Sequence, residues 1–109
     1  MPSIDDEIHY RLLKQLEVNP NISQRELARE LNVSLGKTNY CLRALVETGL
    51  VKARNFKNSQ NKRAYAYYLT PKGVEEKARI TARFLKRKMV EYEKLKREIS
   101  ALKREVSSS

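Results

Sequence analysis

Gly36-Lys37-Thr38 has the residue types that close a phosphate-binding loop, and it sits in a chain of 109 residues carrying a formal charge of +10. A nucleotide-binding loop needs G-x-x-x-x-G-K-[ST] in a turn between a strand and a helix, so that backbone N–H groups point at the phosphates. Leu31 occupies the first glycine position, the preceding segment reads as a helix, and the whole chain has three glycines. No second acidic strand that could hold magnesium is evident. The pattern therefore argues against nucleotide hydrolysis, and the lysine needs a different phosphate.

The other chemistry-bearing residues narrow the choice further. No paired carboxylates, nucleophile-and-base arrangement or ligand cluster stands out, so the chain reads as a non-enzyme with no cofactor. His9 has neither a second histidine nor a nearby cysteine, which gives no metal site. Cys41, the single cysteine, cannot form an internal disulfide and reads as a small packed thiol, with oxidant sensing as the alternative.

Charge is unevenly spread. Residues 1–33 carry 4 basic and 6 acidic side chains, residues 34–70 carry 7 and 1, and residues 71–109 carry 12 and 6. The middle third is thus almost purely basic, as a polyanion-binding surface requires; lysines kept for solubility are the plainer explanation. The acidic N-terminus MPSIDDEIHY is unlike a secretory signal and no apolar run reaches membrane-spanning length, so a soluble, cytoplasmic, nucleoid-associated protein with no membrane partner is expected.

Periodicity supplies the elements that must position these residues. Ser3 and Asp6 resemble a capping box ahead of Ile4, Ile8, Leu12, Leu13 and Leu16, and Asn19-Pro20 stops that first helix. Ser23-Gln24-Arg25-Glu26 is a full capping box opening a second helix with Leu27, Ala28 and Leu31 on its apolar side. Asn32-Val33 turns the chain, and Ser34 caps a third helix that ends at Gly49. Leu50–Phe56 and Ala64–Leu69 then alternate as strands around the turn residues Asn58 to Asn61, a hairpin with a basic tip. Thr70-Pro71 restarts a helix, with proline where its missing N–H costs nothing. That helix runs without another proline to about Val106, about 50 Å, too long to lie wholly on so small a domain. The expected fold is mainly α with a small β-hairpin, a winged helix-turn-helix followed by a long C-terminal coiled-coil helix. The expected units are residues 1–73 for DNA binding and 74–109 for dimerisation.

With Thr38, Leu42 and Leu45 facing inward, the third helix (residues 34–48) turns Ser34, Leu35, Gly36, Lys37, Asn39, Tyr40 and Arg43 to its early turns and outer face. Asn39 can pair with adenine, Lys37 or Arg43 with guanine or phosphate, and Tyr40 with phosphate or a thymine methyl. Gly36 costs about 1 kcal/mol of helix propensity relative to alanine, which close approach to DNA would explain. Ser23, Gln24 and Arg25 at the start of the second helix, and Arg54, Lys57, Lys62 and Arg63 in the hairpin (51–69), complete the candidate DNA contacts. Tyr65, Tyr67 and Tyr68 read as hairpin packing.

The run ISQRELARELNVSLGKTNYCLRALVETGLVKARNF, followed by KRAYAYYLTPKG, resembles MarR-type winged helix-turn-helix transcriptional regulators from Ile22 to Gly73. With the basic ARFLKRKM segment it is similar to the small MarR-like regulators associated with exopolysaccharide gene clusters. The resemblance implies a third helix in the major groove and a wing, Arg54 to Arg63, on the neighbouring backbone or minor groove. MarR-like regulators usually carry additional terminal helices that build a dimer domain and an effector cleft. This chain has one helix after the wing, so no effector pocket is expected.

Val74, Ala78, Ala82, Leu85, Met89, Tyr92, Leu95, Ile99, Leu102 and Val106 advance along that last helix by threes and fours. From Tyr92 the pattern is heptad, with Tyr92, Ile99 and Val106 at a and Leu95 and Leu102 at d. A parallel pair would set Glu91 against Lys96 and Glu98 against Lys103 of the other chain, whereas an antiparallel pair would oppose like charges. The charges thus favour a parallel homodimer over an antiparallel one, and the length of helix beyond its own domain argues against packing of the stripe there. The leading expectation is a homodimeric, sequence-specific binder of double-stranded DNA that regulates transcription. An architectural, chromatin-type DNA binder with little sequence preference, or a winged helix used to bind protein, would share the same fold.

Overall fold

The computed structural model describes residues 3–57 and 63–109, with side chains for 6–55 and 65–109. Three helices, α1 (Ser3–Val18), α2 (Gln24–Leu31) and α3 (Leu35–Glu47), precede strands β1 (Val51–Lys57) and β2 (Arg63–Leu69) and the long helix α4 (Pro71–Ser108). The mainly helical fold with one hairpin and a long last helix is the one the periodicity implies. The side chain of Ser3, assigned to a first capping box, lies outside the described residues.

Each boundary has a local cause. Ser23 Oγ accepts from the Glu26 amide while the Glu26 carboxylate accepts from the Ser23 amide, the reciprocal capping box expected for α2. Asn32 ends α2 at φ 58°, the left-handed conformation that asparagine tolerates better than other side chains. Ser34 caps α3 by accepting from the Lys37 amide at 3.0 Å. Gly49, at φ +79°, then turns the chain out of α3. Thr70 caps α4 through Gly73, with Pro71 in the first turn.

Leu12, Leu13 and Leu16 of α1, Leu27 and Leu31 of α2, and Leu42 and Leu45 of α3 meet Val51 and Ile80 in one core. The strands pair antiparallel from Val51 with Leu69 to Lys57 with Arg63. The Tyr67 amide of β2 also donates to the Pro20 carbonyl, which ties the hairpin to the α1–α2 connection.

The first turn of α4 is fastened to the end of α3 by backbone-directed contacts. Thr70 Oγ1 donates to the Gly49 carbonyl at 2.6 Å, the Thr70 amide to the Leu50 carbonyl at 3.1 Å, and Lys72 Nζ to the Thr48 carbonyl at 3.3 Å. Gly73 is buried against the Leu50 carbonyl, which a Cβ at this position would run into.

Beyond that turn α4 lies along α1. Ile80 is buried, Phe84 stacks on Tyr10 with ring centroids 5.1 Å apart, and Arg83 grips Asp6 with two bonds of 3.1 Å. Lys77 pairs with Glu17 at 2.9 Å nearby. The docking face, Gly73, Ile80 and Phe84, is thus separate from the stripe running from Val74 to Val106, and the apolar pattern of α4 serves two faces. The 38-residue helix spans about 57 Å at 1.5 Å per residue, within a molecule 67 Å long. None of the described helices is long and apolar enough to cross a membrane.

Candidate nucleic-acid interface

Helices α2 and α3 and the hairpin converge on one face, where α3 exposes Lys37 and Arg43. Thr38, Leu42 and Leu45 point inward from α3, at 1–2% exposure, with Cys41 buried beside them. The helical repeat then turns Leu35, Gly36, Lys37, Tyr40 and Arg43 outward, and Tyr40 is 75% exposed. Space around Gly36 is open, since a Cβ there would meet nothing within 4 Å. Packing does not require that glycine.

An open groove of about 710 Å³ runs along this surface, lined by Gln24 of α2 and by Leu35, Gly36, Asn39, Tyr40 and Arg43 of α3. A second crevice, about 460 Å³, separates α3 from the hairpin, with Asn39, Arg43 and Val46 on one wall and Ala53, Tyr65 and Tyr67 on the other. Gln24, Asn39, Arg43 and Glu47 line both, so they form the ridge between the two.

Two of the ridge side chains, Gln24 and Asn39, are bonded together. Asn39 Nδ2 donates to Gln24 Oε1 at 3.2 Å, and Gln24 Nε2 donates to the Tyr67 hydroxyl at 3.4 Å. One glutamine therefore joins α2, α3 and β2. Tyr67, read from the sequence as hairpin packing, also has a polar role; its ring does stack on Tyr65 with centroids 6.2 Å apart.

The other sequence-selected residues fall into three groups. Ser23 and Ser34 accept from the amides of Glu26 and Lys37, so their visible task is capping. Arg25 is exposed on the first turn of α2, and Arg54 is exposed on β1 opposite Ala66, one strand position off the Ala53–Tyr67 row that faces α3. Lys62 lies outside the described residues, and so do the side chains of Lys57 and Arg63; their backbones pair across the hairpin.

Sequence reasoning missed Arg11. From α1 its guanidinium donates to the Glu30 carbonyl at 2.7 Å and the Leu31 carbonyl at 3.4 Å, capping the end of α2 and holding the α2–α3 turn. A cation on the polar side of α1 gave no hint of which helix end it would reach.

A family model described as winged helix-turn-helix DNA-binding matches residues 5–52, the span of α1, α2, α3 and the first residues of β1. Among curated proteins none matches the chain. Several solved structures do. The transcriptional regulator SlyA superposes with a TM-score of 0.61 at 21% identity, over 92% of this chain and 75% of that one. Staphylococcus aureus MarR, in complex with salicylate and kanamycin, gives 0.58 at 21% identity, over 79% and 56%. The transcriptional repressor CouR, bound to a 23-mer DNA duplex, gives 0.54 at 27% identity, over 67% and 50%. The chain thus spans between half and three-quarters of the length of these structures. Residues 5–52 match the DNA-binding model and most of the chain takes the shape of these regulators, so the chain has the winged helix-turn-helix fold that they share.

Proposed function

We propose that the chain is a homodimeric regulator of transcription that binds double-stranded DNA sequence-specifically. Helix α3 enters the major groove and the wing, residues 51–69, lies on the flanking backbone or minor groove. The observation that carries this reading is the exposed early face of α3, with Lys37, Tyr40 and Arg43, beside a hairpin in a segment of net charge +6 (7 basic, 1 acidic). Gly36 adds to it, because a glycine that packing does not need leaves the first turn of α3 without a side chain where a base edge would approach. Arg25 and the capped N-terminus of α2 sit where a backbone phosphate favours a helix end. CouR, a repressor of the same shape, is bound to a DNA duplex in its own structure.

Residues 1–73 serve in this reading as the DNA-binding unit and 74–109 as the dimerisation helix. Two-fold symmetry sets the half-sites about one helical turn, or a multiple, apart.

Selection from a pool of random duplexes at about 150 mM salt tests this. A pseudo-palindromic sequence is expected to be enriched, and Lys37→Ala with Arg43→Ala to abolish the enrichment. An unchanged pool with tight, steeply salt-dependent binding would instead assign the chain to architectural DNA binding, and absence of DNA binding to a protein-interaction role.

A further inference from the structure

The ridge between the two grooves holds an arrangement that bare candidate contacts do not explain. Asn39 offers one N–H to Gln24, and Gln24 passes a bond on to Tyr67, all in the same direction. We infer that Gln24 is a positioning residue: it fixes the carboxamide of Asn39 for readout of adenine and couples that readout to the wing through Tyr67. The inference rests on the proposed reading that α3 enters the major groove.

An unrestrained asparagine can rotate its amide by half a turn, exchanging oxygen for nitrogen. Adenine requires a fixed order, because its N6 amino group donates and its N7 accepts. With one Nδ2 hydrogen on Gln24, Asn39 keeps Oδ1 as acceptor and its second N–H as donor, the complement of adenine. Turning the Asn39 amide alone would bring Oδ1 against Gln24 Oε1, two acceptors at bonding distance.

Relief would require Gln24 to turn as well, which sets its Oε1 against the Tyr67 oxygen. That contact is satisfied only if the Tyr67 hydroxyl rotates to donate. Orientation of the reading amide is therefore linked to the direction of one hydroxyl on the wing. In the observed direction Tyr67 accepts from Gln24 and retains its own proton for another acceptor. A DNA phosphate beside β2 that takes this proton would hold the whole chain of bonds in the adenine-reading sense.

All three groups are half-buried and line the crevice between α3 and the hairpin, so they are shielded in part yet open to a partner. Gln24, selected from the sequence as a DNA contact, has both ends of its amide engaged within the protein. Indirect action through Asn39 accounts for that better than direct contact.

The test compares wild type with Asn39→Ala, Gln24→Ala and Tyr67→Phe by random-duplex selection, with thermal melting and binding to a non-selected duplex measured in parallel. Asn39→Ala is expected to reduce preference for adenine at one position per half-site by about tenfold or more. Gln24→Ala should reduce preference at that same position, and Tyr67→Phe in the same direction by less. Non-selected binding should stay within about twofold, and adding Gln24→Ala to Asn39→Ala should cause no further loss of preference. If Asn39→Ala loses the adenine preference while Gln24→Ala retains it, or if Gln24→Ala weakens all sequences alike, the positioning role is overturned. If Asn39→Ala changes no base preference, the major-groove reading of Asn39 fails and the inference fails with it.

Discussion

Gly36 and Gly73 both lie in the first turn of a helix, yet a methyl group would be felt oppositely at the two. At Gly73 it would overlap the Leu50 carbonyl, which already accepts from the Thr70 amide and belongs to the junction between α3 and the hairpin. Neither backbone can retreat without loosening that junction, so Gly73→Ala is expected to cost about 1–3 kcal/mol in stability. At Gly36 the space is empty and the backbone is ordinary helix. Gly36→Ala should therefore stabilise the fold by up to about 1 kcal/mol while weakening binding to the selected DNA site. Chemical denaturation and binding titration of both variants check the contrast. Equal DNA affinity for Gly36→Ala and wild type would remove close approach as the reason for the glycine. The Gly-Lys-Thr triplet is thus separated into parts: Thr38 is core, Gly36 and Lys37 are surface.

At the scale of elements, most boundaries could be read because they are decided by neighbours in sequence. Ser23 and Glu26, Ser34 and Lys37, and Thr70 and Gly73 act over three residues, with Pro71 next to its cap, and these caps occur where the sequence puts them. What could not be read depends on which face meets which. The α4 pattern showed one stripe, whereas Ile80 and Phe84 lie on another face and dock on α1. Two apolar residues four apart are too few to register as a second period, and only the position of α1 reveals their purpose. Arg11, Tyr67 and Asp6 were hidden for the same reason, since their partners are 19 or more positions away. The Asp6 clasp has its own pH signature. The hydrogen bond from Arg83 holds the Asp6 carboxyl below its ordinary value of 3.8, and the nearby charges of Arg83, Arg87 and His9 act the same way. A lowered folded-state value means that this contribution is fully present above the ordinary carboxylate range and is lost as pH falls through the folded value. Melting temperatures of wild type and Asp6→Asn should accordingly differ by a constant small amount from pH 7 to about 5, and converge as the pH falls through the lowered folded value. A difference that stayed constant down to pH 2 would show that the clasp is not ionic.

At the scale of the whole molecule, the second half of α4 has nothing to pack on among the described residues of its own chain. Tyr92, Leu95, Ile99, Leu102 and Val106 remain 44–76% exposed along a helix that reaches well past the α1 contact. Aligned apolar side chains left in water over about four helical turns favour association, and the charges beside them decide its direction. Lys96 covers the Tyr92 ring at 5.3 Å, which keeps that lysine at the edge of the seam, where Glu91 of a parallel partner would meet it. In a parallel pair each a-position residue faces its own copy, so two Val106 residues would lie side by side. In an antiparallel pair they would be at opposite ends. Val106→Cys is therefore expected to form an intermolecular disulfide under mild oxidation, since the bond needs Cα atoms within about 7 Å. Cys41 is buried and does not compete. The cross-linked species should run at twice the 12.7 kDa chain mass and bind the selected palindrome no more weakly than the reduced protein. Ile99→Glu should leave the chain at its monomer mass in sedimentation. Its affinity for the two-half-site duplex should fall by about 10² or more, because each head would then bind alone. Dimerisation that survived Ile99→Glu, or a Val106→Cys chain that stayed uncrosslinked while still dimeric, would place the dimer contact elsewhere or reverse its direction.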